Sequence, residues 1–223
     1  MLINKLIQLL RKPEHKQFAR NSFVVAALQF VGTALVFFLQ ILLARVVADT
    51  TQYGVFVWGQ SLLFMTGTLC TVGLPVIASR FIASLNAIEN RQGARIVIRH
   101  AWTLLLITAP FLITGMWLAT RFIGTPGGKG LSNQVIILAI LAAPLASISM
   151  LYQAFSRAHR WFVLALLPAR IVRPLVTALL AVGCWLVLND NLSGVMVLVL
   201  TIASLCVIVL VQIGIFHYRV GRI

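Results

Sequence analysis

Residues 161–188 read WFVLALLPARIVRPLVTALLAVGCWLVL. The run is apolar enough, and at over 20 residues long enough, for a membrane-spanning helix. Its only charges are Arg170 and Arg173, one turn apart and flanked by Pro168 and Pro174. An arginine at the centre of such a helix costs roughly 2.5–3.5 kcal/mol on insertion scales. Arg170 lies nine residues past Trp161, which at about 1.5 Å per residue is about 14 Å along the helix. That is close to the bilayer midplane and too deep for the side chain to snorkel out. Both guanidinium groups are therefore expected to face the protein interior or a wet cavity.

The rest of the chain has the same character. Of 223 residues, 61% are hydrophobic and 10% charged, with a mean hydropathy of +1.01. Soluble domains carry about 25% charged residues, so the composition is that of an all-α integral membrane protein. Six apolar runs are long enough to span, at about 21–47, 53–79, 101–121, 131–156, 161–188 and 192–217. Residues 1–20 alternate apolar and polar positions ahead of the first run and are expected to lie as an amphipathic segment at the cytoplasmic interface. They lack the pattern of a cleavable signal peptide.

Net charge is +14, from 18 basic and 4 acidic residues. The basic residues cluster at the ends of the apolar runs, where they act as topology signals toward anionic membrane lipids. No nucleic-acid partner is expected. With both termini cytoplasmic, thirteen basic residues fall on inner segments and three, Arg45, Arg121 and Lys129, on outer ones. This is the positive-inside bias of an N-in, C-in topology.

Polar residues within the runs mark candidate contacts. Ser22, Gln29, Thr33 and Gln40 form a stripe on the first run, with Gly32 and Val36 beside it. Two readings stand for it: interhelical packing and cavity lining. On the second run Gln60, Gly67 and Thr71 share a face read as packing, and Gly73-Leu74-Pro75 is expected to break the helix. Tyr152 near the end of the fourth run is expected as an interfacial anchor. On the fifth, Pro174 frees the carbonyl of Arg170. A distorted, cationic half-helix at the midplane has the character of a transporter substrate site. The alternative is a structural arginine satisfied by free carbonyls or by polar groups of the first run. No acidic residue lies at similar depth to pair with either arginine.

Other chemistry lacks its signature. Cys70, Cys184 and Cys206 are dispersed within apolar runs and are expected to be packing residues. His15, His100, His159 and His217 sit near run ends. Neither HExxH nor GxSxG occurs, and the Gly124–Gly130 loop lacks P-loop spacing and is expected as a turn. No enzyme activity, metal or cofactor is expected.

Ala44-Arg45, then Gln52-Tyr53-Gly54, Gly73-Leu74-Pro75 and Ala78-Ser79-Arg80-Phe81 follow in order. Together they resemble the amino-terminal signature of polysaccharide biosynthesis proteins, the O-antigen and lipid-linked oligosaccharide flippases of the multidrug/oligosaccharidyl-lipid/polysaccharide exporter superfamily. Arg157-Ala158-His159-Arg160, Pro168 and Ile171-Val172-Arg173-Pro174 extend the resemblance over essentially the whole chain.

The resemblance implies a V-shaped transporter of two six-helix lobes in the bacterial cytoplasmic membrane, of which this chain matches one. It implies a lipid-linked oligosaccharide as substrate, moved between leaflets by alternating access. It also implies a second six-helix lobe, supplied by a missing half, a second copy or another chain. Arg170 and Arg173 are then the expected pyrophosphate contacts, since arginine offers a fork of donors to phosphate oxygens, with Gln29, Thr33 and Gln40 nearer the glycan. Alternatives are a multidrug exporter of the same superfamily, which would carry a membrane carboxylate, and a non-transporting subunit of a polysaccharide assembly complex.

Overall fold

The computed structural model describes residues 13–47, 49–123, 131–188 and 192–220. Helices α1 (Pro13–Val46), α2 (Thr50–Thr71), α3 (Leu74–Ala87), α4 (Arg91–Ile123) and α5 (Leu131–Ala158) follow one another. Then come α6 (Phe162–Leu167), a π-helical turn (Pro168–Val172), α7 (Arg173–Leu188) and α8 (Gly194–Val220). No strand occurs among the described residues. Ser22–Val46, Arg91–Leu118, Asn133–Ala158, Phe162–Val187 and Gly194–Arg219 are each long and apolar enough to cross a membrane. Helices α2 and α3, bent by 49° at their junction, qualify together as a sixth.

That bend sits where glycine and proline put it. Val72 and Gly73 both adopt left-handed backbone, φ 44° and 75°, and Pro75 falls in the first turn of α3. Elsewhere the boundaries shift. The third span was expected from residue 101, but α4 begins at Arg91. Arg91, Arg95 and Arg99 stand four apart on one exposed face, while Ala94, Ala101 and Leu105 are buried. The charges thus continue the helix rather than end it. At the amino end, Pro13 opens a helix that runs unbroken to Val46, so residues 13–20 continue into the first span. The rest of the expected interfacial segment, residues 1–12, lies outside the described residues, as does the Gly124–Gly130 turn.

Helix α5 is the centre of the bundle and touches α2, α3, α4, α6 and α8. Many of its buried positions are small: Ala139, Ala142, Ala143, Ala146, Ser147 and Ala154. Small residues let backbones approach where the hydrophobic effect gives no drive between helices. Gly67 of α2 sits directly on the Ala146 side chain, and the Ser147 hydroxyl donates to the Gly67 carbonyl at 2.8 Å. This is the packing role expected for Gly67, and Thr71 on the same face is buried too. Tyr152 is a correction: it is 3% exposed, not an interfacial anchor. Its ring lies 5.4 Å from Phe216, 5.9 Å from Phe155 and 5.9 Å from Trp102. Because α5 is ringed by neighbours, even its end is core, and a period of 3.6 cannot tell a central helix from a peripheral one.

The three cysteines are free, Cys70 buried and Cys184 and Cys206 half-buried. His100, His159 and His217 each place Nδ1 within 2.8–3.0 Å of the carbonyl four residues back.

Helix α1 is peripheral. It leans on α6, the π turn and α7, and its tightest seam is Gly32. A Cβ there would stand 2.7 Å from the Arg170 Cβ and 3.0 Å from the Arg170 carbonyl oxygen. We expect Gly32→Val to force α1 off the π turn and to cost about 1–3 kcal/mol, the scale of overpacking. Gly54→Ala, with nothing within 4 Å, should leave stability unchanged or raise it by up to about 1 kcal/mol. Thermal unfolding in detergent, followed by tryptophan fluorescence, separates the two.

Asp49 caps α2, its carboxylate accepting from the Thr51 backbone N–H at 3.3 Å and the Thr50 hydroxyl at 3.3 Å. The Thr51 N–H, first among these contacts, holds the carboxyl below its ordinary range. The cap therefore stabilises the fold above the ordinary carboxylate pKa and ceases to as pH falls through the depressed value. Asp49→Ala should melt below the wild type at neutral pH and together with it in strong acid, as read by melting temperature against pH.

Candidate functional site

Proline chemistry sets the geometry around both arginines. Pro174 has no N–H, and in a regular helix its ring would meet the carbonyl of Arg170. The helix widens instead, and the Arg173 N–H donates to the carbonyl of Pro168, five residues back. One π turn therefore absorbs the two prolines without ending the span, and such turns recur at functional positions. The sequence led to an expectation of distortion here; its form is a widened turn rather than a break. Arg173 lies eleven residues from Phe162 and fourteen from Val187, near the middle of the span.

Beside this turn is a cavity of about 390 Å³, within the size range of small-molecule sites. It lies between α1, α2, α5, α7 and α8, and Arg170, Arg173, Gln40, Gln60, Gln153 and Thr177 are its principal polar walls. No carboxylate lines it. Among the described residues neither guanidinium makes an ion pair or a hydrogen bond. Arg173 instead stacks on Phe64, its guanidinium carbon 4.3 Å from the ring centroid, a cation–π contact that gains strength as water is excluded. Arg170 keeps its backbone against Gly32 and its side chain exposed.

The remaining polar groups are held by one another. The Tyr53 hydroxyl donates to Gln40 Oε1 at 2.7 Å, which fixes the amide and leaves its N–H₂ as donor. The Gln153 amide donates to the Ser149 hydroxyl at 3.3 Å, which donates to Gln212 Oε1 at 3.0 Å. Gln212 is buried and its Nε2 has no partner. The Thr177 hydroxyl pairs with Ser204 at 2.8 Å and donates to the Arg173 carbonyl at 2.9 Å, tying α7 to α8 beneath the arginine. The chamber thus presents two cations and several amides. Such a surface accepts an anionic or phosphate-bearing group with hydroxyl-rich neighbours.

Of the five residues singled out from the sequence, Arg170, Arg173 and Gln40 converge on this cavity. Gln29 and Thr33 do not: both are exposed on α1, and the Thr33 hydroxyl donates to the Gln29 carbonyl at 2.9 Å. Phe64, Ser149 and Thr177 join the wall without having been foreseen. Gln60, expected on a packing face with Gly67 and Thr71, lines the cavity instead, and Gln153 was visible as a polar residue in an apolar run, a signal too general to assign it. Compared with models of protein families, with curated proteins and with solved structures, the chain finds no match in any of the three.

Proposed function

We propose that this chain is one six-span lobe of a flippase that moves undecaprenyl-pyrophosphate-linked oligosaccharide across the bacterial cytoplasmic membrane, with both termini cytoplasmic, for cell-surface polysaccharide assembly. The observation that carries it is a mid-span cavity lined by Arg170 and Arg173 and by no carboxylate. Removing two cations from water is costly, and with no acid to balance them a mobile anion is the natural counter-charge. A pyrophosphate supplies several oxygens for the arginine forks. The amides of Gln40, Gln60 and Gln153 suit the adjoining sugars. The companion lobe, a missing half, a second copy or another chain, would complete the wall of the chamber.

The multidrug alternative has less support, because a cationic wall repels cationic drugs and a coupling carboxylate is missing from the cavity lining. Arg170→Ala together with Arg173→Ala should lower surface glycan at least about tenfold, the scale of losing charge-assisted contacts to phosphate. The amount of protein in the membrane should be equal or higher, since an insertion penalty is removed. Immunodetection of surface polysaccharide in a complemented null strain, normalised to membrane protein, reads both. Wild-type export by the double variant would exclude the arginines from substrate handling.

A further inference from the structure

A second cleft, larger than the arginine chamber at about 590 Å³, lies against another face of the π turn, formed by Pro168 and Val172. Its body is apolar, between Val24 of α1, Val163, Leu164 and Leu167 of α6, and Val211 and Ile215 of α8. It reaches as deep as Pro168 and Val172. At the other end it is bordered by two cations, Arg160 and Arg219. From residue 160 to residue 168 a helix would rise about 12 Å, so the cleft is a slot open to the membrane with positive charge at one end only.

The charged end is built with care. Helix α5 closes with Arg160 in left-handed backbone, φ 59°. The Arg160 N–H donates to the Arg157 carbonyl at 2.9 Å, and the Trp161 N–H donates to the Ser156 carbonyl at 2.9 Å. This is the double closure that usually places glycine at the turn. Arginine there carries a backbone strain that glycine would not. The turn aims Arg160 at the cleft mouth and sets Trp161 as its wall, stacked on His159 at 5.1 Å and packed on Phe216 at 6.0 Å. From α8, Arg219 lies over the same indole, its guanidinium carbon 5.5 Å from the ring centroid. Among the described residues no acid pairs with either arginine.

We infer that this cleft seats one anionic phospholipid of the adjoining leaflet. Its phosphodiester lies between Arg160 and Arg219, and one acyl chain runs along the slot toward Pro168. The charge at one end and the apolar body together match an amphiphile, and match neither a free anion nor a protein helix. The seat does not depend on what the arginine chamber carries.

The test is native mass spectrometry of the full chain in detergent, titrated with phosphatidylglycerol or phosphatidylcholine. We expect one phosphatidylglycerol per chain, held in preference to phosphatidylcholine. Arg160→Gly with Arg219→Gln should lower phosphatidylglycerol affinity about tenfold, the scale of losing a charge-assisted contact. Its melting temperature should be equal to or above that of the Arg219→Gln single variant, because glycine relieves the turn. Val211→Trp, which fills the slot and keeps both cations, should lower affinity as well. Arg95→Gln with Arg99→Gln, an equal charge change on the exposed face of α4, should not. Equal affinity for the two lipids, unchanged binding in Val211→Trp, or an equal loss in the α4 control would each overturn the assignment.

Discussion

A polar group within an apolar span has no water to fall back on, and this rule organises the molecule. Several helices meet their neighbours through groups they cannot leave unpaired. The Ser147 hydroxyl binds α5 to α2, the Thr177–Ser204 pair binds α7 to α8, and Tyr53 and Gln40 bind α2 to α1. Where small residues line the contact, as along α5, backbones come close enough for such bonds to form. The arginines, with the Gln212 amide nitrogen, are exceptions to internal pairing. The helix around the two arginines is reshaped by its prolines, one lies on an aromatic face, and both border open space.

Much of this was legible in the chain. Six apolar runs give the helices, because length and hydropathy alone decide whether a segment can span. The bend after α2 follows from Gly73 and Pro75, which constrain backbone whatever the neighbours do. The convergence of Arg170 and Arg173 was readable because their cost at mid-depth leaves few places to face.

What was illegible depends on partners distant in sequence. Gln40 could be placed on a polar stripe, but only the approach of α2 supplies the Tyr53 hydroxyl. Gln29 and Thr33 share that stripe and fall outside the cavity, because α1 meets the bundle along one narrow line and turns the rest of its surface outward. Tyr152 carries the residue type of an interfacial anchor, yet α5 is surrounded and buries it. The form of the π turn was hidden for another reason. Two prolines six residues apart forbid a regular ladder without stating how the backbone will respond.

The slender attachment of α1 has a mechanical consequence. Most of its bulky side chains, Phe23, Phe30, Phe37 and Phe38 among them, face away from the bundle. Leu43 fixes its far end in the core, but along its middle the grip rests on a glycine seam and a phenol–amide bridge. Any displacement that widens the arginine chamber follows the route that sacrifices the least packing. That route swings the middle of this outermost staff aside, and because Val36, Leu39 and Gln40 form one wall of the cavity, the arginines would open sideways to the lipid phase rather than along the bundle axis.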